Sequence, residues 1–171
     1  MKQELMIRQV QPEDATLLRE LARRCPPLDV HTHYTYWVIA RYFGKNSFIA
    51  EQDGRGAAYI TSVENNDTLL IWQIGITEAL RGRGLSFELI DRVVTAARKA
   101  GKGVQVTIDR QNLPSNGAFR SYCRKKGYVL RRVGQLSLRD PLLPSFAEDE
   151  EIYEIAACDQ KSSVGSDGCE V

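Results

Sequence analysis

The sequence contains no long hydrophobic run: none of its apolar stretches approaches the roughly 20 residues that a membrane-spanning helix needs. Nor does one charge dominate, because 23 Lys and Arg residues balance 22 Asp and Glu residues. This balance argues against binding of nucleic acid or of a membrane surface through net charge. We therefore expect no membrane or nucleic-acid partner. The amino terminus lacks the apolar block of a signal peptide, so we also expect a cytoplasmic protein.

Cysteine and histidine are also scarce. The four cysteines form no CxxC pair, so neither a disulfide framework nor a zinc site is indicated. The two histidines, His31 and His33, have no third candidate ligand close to them in the sequence, and we expect no bound metal. A basic cluster between Arg120 and Arg132 could contact RNA, but it lacks interleaved aromatic residues and is more typical of a solvated helix end.

The composition is that of a globular protein that can bury a sizeable core, with 43% hydrophobic and 26% charged residues in a chain of 171. This length suits one domain. Apolar periodicity ends near residue 157, so we expect a single domain over residues 1–157 and a disordered tail over residues 158–171.

Hydrophobic patterning predicts a mixed α+β fold with the element order βααβββαβαββ. The most apolar strand, residues 68–77, is expected at the centre of the sheet. The predicted strands are residues 5–10, 47–52, 56–63, 68–77, 104–109, 128–138 and 151–157. The predicted helices are residues 12–24, 33–43 and 114–126, and an amphipathic helix that begins at Leu85 and is closed by Gly101.

The most informative local feature is the glycine-rich turn between the central strand and the helix that begins at Leu85. Glycines bring backbone N–H groups close to a ligand, and a helix N-terminus favours an anion. A bound pyrophosphate and a plain solvated turn both fit this tetrapeptide: Arg81, Gly82, Arg83 and Gly84. It is neither a Walker loop, since the Gly-Lys-Ser/Thr ending is missing, nor a dinucleotide fingerprint, which would follow the first strand.

With strand, turn and helix in this order, the segment resembles the acetyl-CoA site of the GNAT superfamily of N-acetyltransferases. That pattern is Arg/Gln-x-x-Gly-x-Gly/Ala, and here it contains Arg81, Gly84 and Ser86. Four separated segments are similar to the diaminobutyrate acetyltransferases of ectoine synthesis: residues 27–36, 71–85, 112–121 and 148–153. Ala147 stands where that family has a histidine. The resemblance implies a mixed, mostly antiparallel sheet of six or seven strands with about four helices.

The resemblance implies acetyl-CoA as co-substrate. The central strand would bind the pantetheine arm and the thioester carbonyl through the backbone of Ile74, Gly75 and Ile76. The turn would bind the pyrophosphate through Arg81, Gly82, Arg83, Gly84, Leu85 and Ser86. Asn112, Ser115 and Phe119 would meet the cofactor from the following helix, although Asn112 equally suits a helix cap.

The acceptor site is also carried over from the resemblance. Asp29 and Glu150 would hold the ammonium group of a small amine, and Tyr34 and Trp72 would line its pocket. Simpler roles are a helix cap for Asp29, a solvated acidic face for residues 148–154 and core packing for Trp72. Asp29, Tyr34 and Tyr122 are the candidate catalytic groups. Tyr122 could be the acid for the leaving thiolate only on a shifted helix, and it equally suits a buried position.

The resulting hypothesis is an acetyl-CoA-dependent N-acetyltransferase that acts on a small diamino acid, first of all L-2,4-diaminobutyrate, by direct attack. A homodimer is carried over from the superfamily. A peptide, protein or polyamine acetyltransferase is an alternative with the same chemistry. An acyl-CoA-binding regulatory protein without turnover is an alternative of another class, and it rests on Phe119 at the position where many superfamily members have a tyrosine.

Overall fold

In the computed structural model, which describes residues 5–140 and 143–158, strands and α-helices follow each other in the order predicted by the patterning. The strands are β1 (Leu5–Gln9), β2 (Phe48–Gln52), β3 (Arg55–Glu64), β4 (Thr68–Ile76), β5 (Gly103–Ile108), β6 (Tyr128–Asp140) and β7 (Leu143–Ala157). The helices are α1 (Ala15–Arg23), α2 (His33–Phe43), α3 (Leu85–Lys99) and α4 (Leu113–Lys126).

The strands form one seven-stranded sheet in the order β1-β2-β3-β4-β5-β7-β6. All neighbours are antiparallel except β4 and β5, which are parallel. Parallel neighbours need a crossover connection, and α3 supplies it. The predicted α+β class and the mixed, mostly antiparallel sheet that the resemblance implies are therefore confirmed.

The helices cover the two faces of the sheet separately. Helices α1 and α2 pack on one face, with fully buried side chains that include Leu18, Leu21, Tyr36, Ile49 and Tyr59. Helices α3 and α4 pack on the opposite face, where the core includes Leu89, Ile90, Val93, Phe119 and Tyr122. The apolar positions of α3 recur at helical spacing, so one stripe of this helix is buried along its length.

The β6 and β7 hairpin is longer than the patterning predicts. The last strand begins at Leu143 instead of residue 151, and β6 continues to Asp140. Cross-strand pairing with β6, such as Ser137 opposite Asp149, extends β7 through a polar segment that has no apolar alternation. This part of β7 is therefore defined by its backbone pairing with β6, which apolar periodicity does not predict.

Three further expectations concern the tail, a membrane span and a metal site. The tail predicted for residues 158–171 lies outside the described residues except for Cys158. In the described ranges, no helix is long and apolar enough to cross a membrane. Across the same ranges, no group of three or more His, Cys, Asp or Glu side chains is arranged to hold a metal ion.

Candidate active site

The two parallel strands separate halfway along their length. Pairing between β4 and β5 ends at Ile71 opposite Val106, yet β4 continues to Ile76 and β5 to Ile108. Beyond this point β4 is paired only with β3, and β5 only with β7. The sheet therefore opens into a gap between β4 and β5, and an extended ligand can pair with the strand edge that faces it.

The β4 edge that faces the gap presents backbone groups at alternate residues. Thr77 donates its N–H to the Ala57 carbonyl at 3.0 Å, so this pair is hydrogen bonded across β3 and β4. Hydrogen-bonded positions alternate along an antiparallel pair, which places Gly75 in the next such position. The N–H and C=O groups of Ile74 and Ile76 therefore point away from β3, into the gap.

Gly75 is required because its neighbours fill the space that a side chain would take. A Cβ at this position would lie 2.5 Å from Cε1 of Tyr59, 3.0 Å from Cδ1 of Leu28 and 3.2 Å from Sγ of Cys25. Real Cβ atoms essentially never show a contact as short as the one to Tyr59, and the other two are tighter than most. Packing from the α1 and α2 side thus fixes the position of the β4 edge.

The glycine-rich turn lies at the end of this edge and leads into α3. Gly82 and Gly84 have φ angles of +75° and +80°, which side chains disfavour. Leu85 is buried and anchors the first turn of the helix, whereas Arg83 is exposed. The first N–H groups of a helix have no intrahelical acceptor, and they form the positive end of the helix dipole. The turn therefore has the geometry of an anion site.

The side chain of Arg81 connects the turn to two other segments. Its Nε donates to the Ile76 carbonyl at 3.3 Å, and its Nη2 donates to the Pro26 carbonyl at 3.0 Å. Arg81 thus joins the end of β4 to the segment that follows α1. In this position it orders the turn, in addition to contributing positive charge.

Helix α4 begins on the other side of the gap, directly after β5. Oδ1 of Asn112 accepts the N–H of Ser115 at 3.1 Å, so Asn112 caps α4 and that interpretation is confirmed. Phe119 is buried against α3 and the sheet, 1% exposed. Contacts of Asn112, Ser115 and Phe119 with a cofactor stay predictions.

A β-bulge turns two successive side chains of β4 toward α1 and α2. The register changes between Ser62 opposite Ile71 and Thr61 opposite Gln73, so Trp72 is the extra residue. Ile71 packs in the α3 and α4 core, whereas Trp72 packs in the α1 and α2 core. The bulge lies where the gap begins, and it places Trp72 beside that opening.

Gln73 is buried behind Trp72 and makes three hydrogen bonds. Its Oε1 accepts the hydroxyl of Tyr59 at 2.7 Å and that of Tyr36 at 3.3 Å. Its Nε2 donates to the Asp29 carbonyl at 2.8 Å. Burial raises the pKa of both tyrosines, so each keeps the proton that it donates. Gln73 therefore holds the segment between α1 and α2, residues 24–32, against the β4 bulge.

Aromatic rings form a wall beside the gap. The rings of His31 and Tyr36 lie 4.6 Å and 6.2 Å from that of Trp72, measured between centroids. Tyr34, which the sequence places in this pocket, is 71% exposed and stacks on Trp37 instead. Helix α2 turns the side chain of Tyr36 inward, where it is fully buried, and that of Tyr34 outward, and a contact of Tyr34 with the acceptor stays a prediction.

The segment before α2 places Asp29 at the surface. Its side chain is exposed, and its carbonyl is held by Gln73. The cap of α2 is Thr32, whose hydroxyl accepts the N–H of Thr35 at 3.2 Å. The capping role considered for Asp29 is therefore wrong, and its carboxylate is available to a ligand.

Tyr122 faces α3. Its buried hydroxyl donates to Oδ1 of Asp91 at 2.9 Å, and the same carboxylate oxygen accepts Nζ of Lys126 at 2.8 Å. Burial and the neighbouring carboxylate raise the pKa of Tyr122. A hydroxyl that is committed to Asp91 joins two helices, and this geometry argues against Tyr122 as the catalytic acid.

Two adjacent glutamates on β7 point in opposite directions. Glu151 lies opposite Ile108 at the end of β5 and receives hydrogen bonds from Arg110, Arg132 and Tyr153. The hydrogen bond from Tyr153 is the main cause that lowers the pKa of Glu151. Side chains alternate along a strand, and Tyr153 packs in the α3 and α4 core. Half-buried Glu150 therefore faces the side that carries α1 and α2.

Part of the acidic run over residues 148–154 is a solvated and ion-paired surface, which is the simpler role considered for it above. Asp149 is exposed and accepts Nη2 of Arg139 at 2.6 Å and the hydroxyl of Ser137 at 2.7 Å. The hydroxyl of Ser137, followed by Arg139, lowers the pKa of Asp149. Glu148 lies outside the residues whose side chains the structure describes.

Sequence reasoning missed His31, Tyr36 and Gln73 as parts of this site. One signal for Gln73 was present, because it is an amide in the middle of the most apolar strand. A buried amide needs hydrogen-bond partners, and such a position indicates a polar network. Tyr36 had a signal as well, because it matches the second tyrosine of the resembled segment over residues 27–36, whereas His31 had none.

An opened parallel pair of strands, with a glycine turn at the start of the crossover helix, defines the GNAT class of acetyltransferases. A family model described as "Acetyltransferase (GNAT) family" matches residues 15–123, and the chain belongs to this family.

Two relatives in sequence and one solved structure are similar to this chain over most of its length. The chain is 34% identical over 121 residues to an L-2,4-diaminobutyric acid acetyltransferase of Halomonas elongata, covering 68% of this chain and 63% of that relative. It is 30% identical to the protein of the same name from Streptomyces anulatus, with 84% of each chain covered. The structure of diaminobutyrate acetyltransferase EctA from Paenibacillus lautus, in complex with L-2,4-diaminobutyric acid and coenzyme A, superimposes with a TM-score of 0.78 at 24% identity. That match covers 95% of this chain and 99% of the other.

Proposed function

We propose that this protein is an acetyl-CoA-dependent N-acetyltransferase that acetylates an amine of a small diamino acid, with L-2,4-diaminobutyrate as the acceptor and ectoine biosynthesis as its setting. The observation that carries the proposal is the gap between β4 and β5. It has an open strand edge and a glycine turn for the cofactor, and an acidic, aromatic pocket for the amine. The names of the relatives support the choice of acceptor.

Acetyl-CoA supplies an activated acetyl group as a thioester. Its pantetheine arm would pair with the backbone groups of Ile74 and Ile76 that point into the gap. Its pyrophosphate would lie over Gly82, Arg83 and Gly84 at the start of α3. The fit rests on backbone groups of β4 that have no partner on β5, and these lead from the gap to the turn.

The acceptor would enter from the α1 and α2 side. Its free ammonium group would lie near two carboxylates. Asp29 is exposed on the segment before α2, and half-buried Glu150 faces the side that carries α1 and α2. The ring of Trp72, with that of Tyr36 buried behind it, would contact its short aliphatic chain. The geometry suits a small cation, because aromatic rings stabilise positive charge at their faces and carboxylates pair with it.

Transfer would occur by direct attack of the amine on the thioester while both substrates are bound. Holding the two reactants together supplies much of the rate enhancement. Phe119 occupies the position where many superfamily members have a tyrosine acid, and Tyr122 donates to Asp91. The thiolate would therefore leave without a dedicated tyrosine acid.

Location and assembly belong to the same proposal. We place the protein in the cytoplasm, where acetyl-CoA is available, and we propose a homodimer, as in many members of the superfamily. Size-exclusion chromatography with light scattering tests the dimer directly, with a monomeric mass of 19.3 kDa as the contrary result.

The central experiment measures thiol release from acetyl-CoA with a panel of diamino acids, polyamines and short peptides. We expect the highest kcat/KM with L-2,4-diaminobutyrate. A higher value with another amine would replace the acceptor and keep the chemistry, and activity with peptides alone would favour an open-groove acetyltransferase. Bound acetyl-CoA without any release would indicate a regulatory protein.

Two variants test the acceptor pocket. Asp29→Asn and Glu150→Gln should each raise KM for the diamino acid about tenfold, which corresponds to about 1.4 kcal/mol, and leave KM for acetyl-CoA unchanged. Asp67→Asn is the matched control, because Asp67 is an exposed carboxylate at the opposite end of β4. An unchanged KM in both pocket variants would remove these residues from the site.

A further inference from the structure

The segment between α1 and α2 places an imidazole directly on the bulge of β4. The ring of His31 lies 4.6 Å from that of Trp72, with an angle of 32° between the planes, and 6.2 Å from that of Tyr36. His31 is half-buried, so one side of the ring contacts the aromatic wall and part of it is open. This is the acceptor side of the gap.

The backbone around His31 is held from three directions. Nε of Arg19 on α1 lies 3.4 Å from the His31 carbonyl and donates to it. Nε2 of Gln73 donates to the carbonyl of Asp29, two residues earlier, and Thr32, the next residue, caps α2. An imidazole anchored in this way has a defined position, as a group that exchanges a proton with a bound substrate requires.

The proposed function creates a need for such a group. A primary amine has a pKa of roughly 8–10 and is mostly charged at neutral pH, whereas only the neutral amine attacks a thioester. Imidazole is the side chain that most readily takes up and releases a proton between pH 5 and pH 8. We propose that His31 accepts a proton from the acceptor ammonium, an assignment that rests on the proposed function.

The step balances without any further reactant. The ammonium proton passes to the imidazole, and the freed lone pair on nitrogen forms the bond to the acetyl carbon. The carbon–sulfur bond breaks, its electron pair goes to sulfur, and the second proton of the attacking nitrogen ends on the thiol. The imidazolium then releases its proton to water through its open side, so one turnover yields the amide, the thiol and one proton.

The groups around His31 come from three elements and from its own segment. Helix α1 contributes Arg19, which contacts the backbone of His31. Helix α2 contributes the hydroxyl of Tyr36, and β4 contributes only the uncharged Trp72 and Gln73. Asp29 lies on the same segment and carries the nearest negative charge along the chain. Asp29 would hold one ammonium group of the diamine while His31 takes the proton of the other.

The chain provides its own matched control. His33 is exposed, and its Nε2 lies 3.0 Å from Oγ1 of Thr16 on α1. The sequence contains no other histidine. Any change in pH dependence that follows substitution of His31, but not of His33, can therefore be assigned to one imidazole.

The test measures kcat/KM for L-2,4-diaminobutyrate between pH 6.5 and pH 9.5 in the wild type, His31→Asn, His31→Phe and His33→Asn. General-base catalysis typically contributes 10²–10⁴-fold, so His31→Asn should lower kcat/KM about 100-fold or more at pH 7. The deficit should shrink at least about tenfold by pH 9.5, where the free amine is already abundant. His31→Phe keeps an aromatic ring on Trp72 and should show the same loss, and His33→Asn should stay within about twofold of the wild type.

Unchanged affinity for acetyl-CoA, measured by calorimetry, confirms that each variant is folded. A deficit of equal size at every pH, or activity retained in His31→Phe, would overturn the assignment and leave a packing role for the ring. If the wild type acetylates a different amine of the panel, the same series is measured with that amine. A wild type that acetylates none refutes the proposed function itself, which is a separate outcome.

Discussion

Replacing Gln73 by leucine should destabilise the protein and loosen the acceptor pocket together. The side chain is 8% exposed and satisfies the hydroxyls of Tyr36 and Tyr59 and the carbonyl of Asp29. Leucine has a similar volume but no hydrogen-bonding group. The substitution therefore removes three hydrogen bonds while nearly preserving the packing.

The magnitude follows from the groups left without partners. A buried polar group that loses its partner costs about 1–3 kcal/mol. Because the hydroxyls of Tyr36 and Tyr59 also interact with each other, one of them can stay satisfied. The Asp29 carbonyl lies in a surface segment that water can reach. We therefore expect a loss of about 2–3 kcal/mol, or roughly 4–12 °C in Tm for a domain of this size.

Two measurements check this prediction. Urea unfolding gives the free energy, and steady-state kinetics give separate KM values for the diamino acid and acetyl-CoA. The KM for the diamino acid should rise about tenfold or more, because the Asp29 carbonyl loses its anchor, and the KM for acetyl-CoA should change little. Gln105→Leu on β5 is the control, and its effect should stay below about 1 kcal/mol because Gln105 is less buried. A stable Gln73→Leu protein with both KM values unchanged would refute the positioning role of this network.

Other parts of the structure give three further predictions. Gly75→Ala should cost about 2 kcal/mol or more and weaken acetyl-CoA binding in calorimetry, because its Cβ would meet the Tyr59 ring at 2.5 Å. Asp14→Asn should cost about 1–2 kcal/mol at pH 7, because the ion pair with Arg8 offsets the effect of burial and lowers the pKa of Asp14. Because the folded-state pKa of Asp14 lies below the unfolded one, this contribution is complete above the unfolded pKa. The difference should therefore shrink in urea unfolding as the pH falls through the folded-state pKa. Tyr122→Phe should lose about 1 kcal/mol in thermal unfolding and leave kcat unchanged, because the hydroxyl joins α4 to α3.

Each of these variants has a control elsewhere in the chain. Gly117→Ala lies in α4 with open space around the new Cβ and should gain about 0.5–1 kcal/mol. Asp67→Asn and Tyr42→Phe change exposed side chains and should stay within about 0.5 kcal/mol of the wild type. A fall in kcat for Tyr122→Phe at unchanged stability would restore Tyr122 as the acid. A Gly75→Ala protein with normal cofactor affinity would show that the β4 edge tolerates displacement.

Local chemistry accounts for the parts of the fold that were predicted correctly. The apolar stripe of α3 and the high apolar content of β4 are patterns within one element, and they do not depend on distant contacts. The glycine turn is local as well, since Gly82 and Gly84 adopt φ angles that side chains disfavour. These features place a helix N-terminus directly after the central strand, which is the cofactor half of the proposed site.

The acceptor half depended on contacts between distant segments. Tyr34 and Tyr36 both match the resembled segment, but capping by Thr32 starts α2 at His33, and packing on the sheet then turns only Tyr36 inward. A bulge at Trp72 reverses the alternation of β4 relative to a regular strand. No pattern within β4 predicts that bulge, because it is defined by the register with β3.

The amino-acid sequence was sufficient for the order of the elements, the glycine turn and the family, because these depend on hydrophobic period, on backbone conformations that favour glycine and on short motifs. Tertiary packing determined where β4 and β5 separate, which side chains line the opening and how Gln73 joins them. Such features arise from contacts between segments more than 40 residues apart, such as the hydrogen bond between Gln73 and Asp29. Their free energy depends on both segments together, so neither segment alone predicts them.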